Sequence, residues 1–443
     1  MQMQSVMEKN FIMLRFKAIN YSVGSSSIFG STYFQFTFCL FFGIFFPTLM
    51  LDFFSYSINL TNENEKNSLL LAFFALCMGT YFLHRMVRYP GVTRAAAIFP
   101  VFSGSFGIVI TIVLVTRNEY SNITFFLCFF SVISAQFLIA ALLHGKDDRI
   151  HYLVPGGRIE QIIPALRSQH QIWARPDMPL GPNAVIVADL HHDHSLEWER
   201  RLAEAVLAGV PVYHFKQVKQ SATGRVEIDH LSENDFGALL PSLSYGNLKR
   251  LVDVCVSLLA FPMLLPLFLV VAVTIKLDSN GPIFFRQQRI GFRGRPFQVL
   301  KFRTMVTAPT PTSGTSAREA SMTGADDPRI TKVGRYLRRT RIDELPQIYN
   351  ILRGEMSWIG PRPEALPLSQ WYANEIPFYA YRHIVRPGVT GWAQVNQGHV
   401  TELDDINTKL QFDFFYIRNF SYWLDAIIAF RTLGVVLNGF GSR

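Results

Sequence analysis

LVDVCVSLLAFPMLLPLFLVVAVTIKL, residues 251–277, is apolar enough to cross a bilayer, and the fold depends on which side of a membrane the chain leaves it. As one straight helix it would reach roughly 40 Å against a hydrocarbon core of about 30 Å. Two features argue against a crossing. Pro262 stands near the middle and Pro266 one turn later, where missing amide donors and ring clashes favour a bend. Basic residues flank both ends: Lys249 and Arg250 before, Lys276 within the last turn, and Arg286, Arg289, Arg293 and Arg295 soon after. Positive charge stays on the cytoplasmic side, so both flanks belong there. The expectation is a re-entrant helix over 249–277 that breaks at Pro262 and returns to the face it entered.

Upstream, four apolar runs at about 28–51, 68–87, 95–116 and 123–143 are each long enough to span. Lys9, Arg15 and Lys17 precede the first, and Arg85, Arg88 and Arg94 separate the second from the third. The loops with Asp52, Glu63 and Glu65, and with Glu119, are poor in basic residues, which puts both ends of a four-span bundle (1–146) in the cytoplasm. No cleavable signal peptide is expected, because the first apolar run is too long and lacks a small-residue cleavage site. The whole chain of 443 residues is 49% hydrophobic and only 17% charged, the composition of a membrane protein. Cys39, Cys77, Cys128 and Cys255 lie in apolar stretches without metal or disulfide spacing. A transporter is disfavoured, since the spans carry almost no ionisable residues at mid-membrane.

After Lys146 the texture becomes soluble. IHYLVPGG (150–157) reads as a strand entering a glycine turn, followed by an amphipathic helix through Ile159, Ile162, Ile163 and Leu166. AVIVADL (184–190) reads as a buried strand, 195–210 as a helix capped by Ser195, and PVYHF (211–215) as another strand. The alternation predicts a small parallel, Rossmann-like α/β domain over 147–240. Its Gly156-Gly157 turn could receive a phosphate but lacks the GxGxxG spacing. His191, His192 and His194, with Asp193, read as solvated loop histidines with no matching distant ligand.

Downstream, residues 277–443 hold 21 Lys and Arg against 14 Asp and Glu, so +7 of the chain's net +9 lies there. Nucleic acid, anionic lipid and phosphorylated substrates all fit that charge. The segment RRTRIDELPQ (338–347) places two adjacent carboxylates, Asp343 and Glu344, behind a run of arginines. Guanidinium groups beside a carboxylate offset its repulsion from a phosphate; the other reading is a salt-bridged, solvated helix face. Adjacent residues on a regular helix project about 100° apart, so both carboxylates reach one point only at a helix end or distortion. Pro346 favours a helix start nearby.

Five segments taken in order, 279–297, KFRTM (301–305), 338–347, GEMSWIGPRPE (354–364) and RPGVTGWAQVN (386–396), resemble the bacterial sugar transferase family, the monotopic phosphoglycosyl transferases. The resemblance covers about 245–443, and the preceding bundle and α/β domain are similar to the long forms of that family. It implies a mainly helical catalytic domain on the cytoplasmic face of a bacterial inner membrane. It further implies transfer of a sugar-1-phosphate from a UDP-sugar, glucose or galactose by preference, to undecaprenyl phosphate, releasing UMP and starting exopolysaccharide, capsule or O-antigen repeat units. Asp343 matches the family's nucleophile, which forms a covalent phosphosugar intermediate, and Mg²⁺ would bind through Asp343 and Glu344. Arg338 and Arg362 match its phosphate-binding arginines, and Lys301 and Arg303 complete the anion pocket. Arg341 stands where many relatives have serine or threonine. The resemblance also implies membrane lipid and a homodimer as partners, and no nucleic acid. A membrane-anchored nucleotide- or lipid-binding regulator is the competing class, and it would need no carboxylate pair. Residues 412–433, rich in aromatics, read as interfacial amphipathic helices or as helices packed in a core.

Overall fold

The computed structural model describes residues 31–55, 63–87, 94–143, 150–166, 169–181, 184–227, 241, 243–306, 327–397 and 403–438. They fall into two compact units, Met1–Gly224 and Arg225–Arg443.

The first unit opens with apolar helices: α1 (Thr32–Leu40 and Phe46–Ser55, joined by a π turn at Phe41–Phe45), α2 (Glu63–Met86), α3 (Arg94–Thr116) and α4 (Asn122–Leu143). Together with a later helix they make five that are long and apolar enough to cross a membrane. Close approach needs small residues here, because lipid gives helices no hydrophobic drive to associate. At Gly79 of α2 a Cβ would lie 2.5 Å from the Phe102 ring of α3. Phe74, Phe99, Leu114 and Phe130 face outward, as lipid-facing side chains do.

Four parallel strands follow: β1 (Ile150–Leu153), β2 (His170–Ile172), β3 (Ala184–Ala188) and β4 (Val212–His214), in the order β2-β1-β3-β4. All five residues of β3 are buried, the continuous apolar run of a strand covered on both faces. Tyr152, Ile186 and Trp173 pack on one face, and Leu153, Val187, Ile162 and Phe215 on the other. The expected 195–210 helix is α5 (Leu196–Leu207), with Ser195 at its N-cap position but no side-chain capping bond. The helix expected after the glycine turn is only a 3₁₀ turn, Ile159–Ala165, since Pro164 removes an amide donor within two turns of the start. β2 and a helix α6 (Phe215–Thr223) were not legible in the pattern. The expected domain edges at 147–149 and 228–240 lie outside the described residues.

The histidine cluster does have a distant partner. His214, at the end of β4, brings Nε2 to 2.9 Å from His191 Nδ1 and 3.4 Å from the buried Asp189. The Lys216 amide donates to His214 Nδ1 at 3.0 Å, so a neutral His214 carries its proton on Nε2 and donates it into the cluster. Asp189, His191 and His214 thus bring one potential ligand atom each to within 4.8 Å of one another at the carboxyl end of the sheet.

The second unit begins with α7, Leu243–Asp278, 36 residues that run as helix without interruption through Pro262 and Pro266, so the expected break at Pro262 does not occur: each proline removes one amide donor, and the turns on either side carry the helix past it. Both its ends are pinned. Toward the N-terminus, Arg250 donates to the carbonyls of Ile351 and Leu352, and Trp358 donates its amide to Asp253 (3.3 Å) and its indole N–H to Ser257 (3.1 Å). Toward the C-terminus, Val271 and Ile275 share a core with Phe302 and Leu337. Between them Leu259 and Met263 are 72% and 81% exposed.

An antiparallel hairpin follows, β5 (Phe284–Ile290) with β6 (Pro296–Phe302), and then helix α8 (Lys332–Arg339). A 3₁₀ turn, Ile342–Gln347, leads into α9 (Ile348–Arg353). β7 (Ser357–Ile359) pairs in parallel with β8 (Gly388–Thr390), where a Cβ on Gly388 would sit 2.1 Å from the Gly360 amide; only glycine permits this approach. Helices α10 (Leu366–Glu375), α11 (Trp392–Asn396), α12 (Leu403–Arg418) and α13 (Tyr422–Asn438) complete the unit. Within 412–433, Phe412, Phe414, Phe415, Tyr416, Trp423, Leu424, Ile427 and Ile428 are buried, while Tyr422, Phe430 and Leu433 are exposed. Aromatic content alone does not tell a lipid-facing helix from one buried all round.

Candidate active site

Asp343 and Glu344 sit in the 3₁₀ turn between α8 and α9, the helix distortion that two adjacent convergent carboxylates require. Arg341, just before the turn, takes a left-handed backbone conformation with φ 59°, uncommon for a side chain of its size. Behind the turn, buried Asn350 ties α9 to β6: its amide N–H₂ donates to the Gln298 carbonyl at 2.7 Å and its carbonyl accepts from Leu300 N–H at 3.0 Å. That bracing holds Lys301, the next residue of β6, beside the carboxylates.

Glu344 takes the direct ion pairs. Its Oε1 accepts from Lys301 Nζ at 2.7 Å and from Arg362 Nη2 at 2.6 Å, while Oε2 accepts from Arg362 Nη1 at 3.3 Å. Burial alone would raise the Glu344 carboxyl; Arg362 and Lys301 overcome it and hold the group well below the usual carboxylate range. Asp343 is also buried but makes no ion pair among the described residues. Burial, reinforced by the Glu344 charge, pushes its carboxyl up to about 6 against the pull of Lys301 and Arg362. One carboxylate is thus a fixed counter-ion, and its neighbour is a buried carboxylate without an ion pair among the described residues.

Arg362 is presented by a turn that is itself clamped. Arg382 donates to the Arg362 carbonyl at 2.9 Å and pairs with buried Asp413 at 2.7 Å. Arg289 donates to the Pro363 carbonyl, and Lys409 to Glu364. Burial, with Arg362 as a like-charged neighbour, lowers Arg289 to about 10. Arg382, Glu364 and Lys409 were not singled out from sequence, and Arg289 only as part of the basic flank after 251–277; the one local signal was that Glu364 ends the GPRPE segment.

The remaining predicted residues stand apart from the ion-pair cluster. Arg303 is buried and donates Nη2 to the Ser279 carbonyl at 2.6 Å, capping the C-terminus of α7. Its Nε and Nη1 are buried without a hydrogen-bond partner, as is Nη1 of Arg338 on the last turn of α8. Among the described residues neither arginine pairs with Asp343 or Glu344.

A membrane-helix protein whose second unit sets a carboxylate bound by Lys301 and Arg362 beside a second buried one has the charge pattern of an enzyme that handles phosphates. Residues 244–439 match the family described as bacterial sugar transferase. A UDP-N-acetylgalactosamine-undecaprenyl-phosphate N-acetylgalactosaminephosphotransferase of Aeromonas hydrophila is 39% identical over 378 residues, covering 85% of this chain and 88% of the relative. A UDP-glucose:undecaprenyl-phosphate glucose-1-phosphate transferase of Escherichia coli (strain K12) is 42% identical over 198 residues, 44% of this chain and 41% of the relative. A UDP-galactose-lipid carrier transferase of Erwinia amylovora is 31% identical over 299 residues, 63% of this chain and 60% of the relative. The chain belongs to the bacterial sugar transferase family and is a phosphoglycosyl transferase.

Proposed function

We propose that the protein transfers a sugar-1-phosphate from a UDP-sugar to undecaprenyl phosphate through a covalent phosphosugar on Asp343, as the first step of a surface-polysaccharide repeat unit. The observation that carries this reading is the division of labour in the carboxylate pair, with Glu344 held by two cations and Asp343 buried beside it without an ion pair among the described residues. A carboxylate is a weak nucleophile that is already ionised at neutral pH, so positioning and charge neutralisation suffice and no general base is needed.

An Asp343 oxygen attacks the sugar-proximal phosphorus. The bond from that phosphorus to the bridging oxygen breaks, and UMP leaves with the electron pair. A phosphate oxygen of undecaprenyl phosphate then attacks the same phosphorus, the acyl phosphate bond breaks, and the carboxylate is regenerated. Arg362 and Lys301 stabilise the charge developing on the transferred phosphoryl group, and Arg338 and Arg303 offer unpaired nitrogens to the diphosphate. Hard carboxylate oxygens suit Mg²⁺, and Asp343 with Glu344 Oε2, which carries only the longer Arg362 contact, would hold it. When bound it would neutralise diphosphate charge.

The reading also places this chemistry at the cytoplasmic face, with α7 re-entrant, since both its ends pack on one folded unit. Intact-mass measurement after incubation with a UDP-sugar alone tests the covalent step; the expected result is a phosphosugar adduct on wild-type protein and none on Asp343→Asn. EDTA is expected to abolish UMP release and added Mg²⁺ to restore it. UDP-N-acetylgalactosamine heads the donor panel with UDP-glucose and UDP-galactose, because similarity to the Aeromonas relative runs through 85% of the chain. An unmodified wild-type protein that still turns over would exclude the covalent route.

A further inference from the structure

Helix α6 stops at Gly224, whose left-handed backbone (φ 68°) is a common helix stop, and the second unit begins with the next residue. Its first two residues are tied at once to α12. The Val226 amide donates to the Gln411 carbonyl at 3.0 Å, and the Arg225 guanidinium lies 4.9 Å from the centre of the Phe412 ring. Val226 and Phe412 are both buried, so this stretch of chain is packed in place. A mid-helix carbonyl keeps one lone pair to offer after its own i+4 amide is served, and Val226 uses it. Both contacts fall between Lys409 and Asp413, which are neighbours one turn apart on α12. Those two side chains hold the turn that presents Arg362: Lys409 pairs with Glu364, and Asp413 with Arg382, whose Nη2 donates to the Arg362 carbonyl at 2.9 Å. Over residues 405–411, α12 buries only Ile406 and Leu410, so few other contacts fix the stretch that carries Lys409.

We propose that Arg225 and Val226 are positioning residues for the phosphate-binding Arg362, acting on it through α12. This rests on the reading of Arg362 as a phosphate ligand given above. Neither residue touches substrate; they fix the flank of α12 from which Lys409 and Asp413 reach the Arg362 turn. A guanidinium within about 6 Å of a ring centre is attracted to its face, and its long stem also covers apolar surface that water would otherwise reach. Loss of either contact frees α12 to shift against the turn, and a misplacement of about 1 Å in a positioning group can cost up to roughly 100-fold in rate. Because a double displacement brings the donor and acceptor phosphates to one position in turn, Arg362 serves both half-reactions, and the effect reads most simply as affinity for a diphosphate. Only Gly224 separates these two residues from α6, so the chain that leaves the α/β fold is itself part of the support of the phosphate site.

The test measures the Kd of full-length protein for UDP, which carries the diphosphate and requires no turnover, beside the donor KM from UMP release. Arg225→Ala should raise both about two- to fivefold, the scale of an exposed cation–π contact, and Arg225→Lys should recover most of the loss. Val226→Pro, which removes the amide donor, should raise both by about two- to tenfold. The decisive measurement is the cycle with Arg362→Ala: distant, independent sites add, so an Arg225→Ala that weakens UDP in the wild type and adds nothing once Arg362 is gone acts through Arg362. The same loss of affinity in both backgrounds overturns the proposal, as does a change below twofold in Arg225→Ala and Val226→Pro while Arg362→Ala weakens UDP. If Val226→Pro fails to fold, Arg225→Ala, at an exposed position, decides alone. Unaltered UDP affinity in Arg362→Ala would instead sink the reading of Arg362 as a phosphate ligand, and the proposal with it.

Discussion

Asp343 and Glu344 are neighbours in the chain and titrate in opposite directions, because the same cations reach them unequally. Glu344 receives Lys301 and Arg362 in direct contact; Asp343 feels them at longer range and is left with the burial penalty. Adduct formation should therefore fall as pH drops through about 6, approaching tenfold per unit below it, as the nucleophile becomes protonated. A stopped assay of UMP release without acceptor reads this directly, and a flat profile down to pH 5 would contradict it. The same shift carries a stability consequence of fixed sign. The folded carboxyl titrates above its unfolded value, so folding binds protons between about pH 4 and 6, and the ionised side chain destabilises the fold above that window. Asp343→Asn should accordingly raise Tm at pH 7.5, by roughly 2–4 °C, and lose this advantage at pH 4, while turnover falls roughly 10³-fold or more. Scanning calorimetry at the two pH values separates this from a merely tolerated substitution.

At the level of elements, the proposed chemistry would rest on a clamped turn. Arg382 pairs with Asp413 in the interior and also holds the Arg362 carbonyl, so it joins α12 to the turn that aims a phosphate ligand. Removing it leaves a buried carboxylate unpaired, which costs about 3–5 kcal/mol. Arg382→Met should lower Tm strongly and raise the donor KM, whereas Arg382→Met with Asp413→Leu should recover Tm but not the donor KM. Stability recovered together with donor affinity would mean that the carbonyl contact is irrelevant. The turn shows what was legible and what was not. Arg362 was marked only by the resemblance of its segment to the family, while the need for a helix distortion at Asp343-Glu344 followed from local spacing, because helix geometry acts over a few residues. Arg289, Arg382 and Lys409 did not, because they arrive from elements more distant in sequence and only packing brings them together. The resemblance made Arg303 an anion ligand; its Nη2 turns to cap α7, a contact that depends on where the far end of a 36-residue helix docks. His214 was missed as a partner for His191 for the same reason: parallel strand order, not sequence spacing, sets them side by side.

For the molecule as a whole, the question posed by residues 251–277 can be argued from lengths. The N-terminal half of α7 is held by Trp358 as far as Ser257, and its C-terminal half is buried from Val271 onward. The free stretch between those anchors rises only about 20 Å as a helix, short of the roughly 30 Å hydrocarbon core. The anchors also belong to one body: Trp358 and the Ile351 carbonyl hold one half, Phe302 and Leu337 the other, and Asn350 directly bridges α9 to the strand that ends at Phe302. A crossing would require that body to be torn in two by the bilayer. Exposed Leu259 and Met263 instead suit a helix that dips into one leaflet and leaves Asp343 near headgroup depth, where a charged group avoids the cost of mid-bilayer burial. Cysteines introduced at Gly246 and Ser279, in a background with the four native cysteines replaced, should both resist a membrane-impermeant maleimide in intact cells and both react in inverted vesicles. Labelling of either one from the periplasmic side would make α7 a true span and move the carboxylate pair away from the compartment that holds nucleotide sugars.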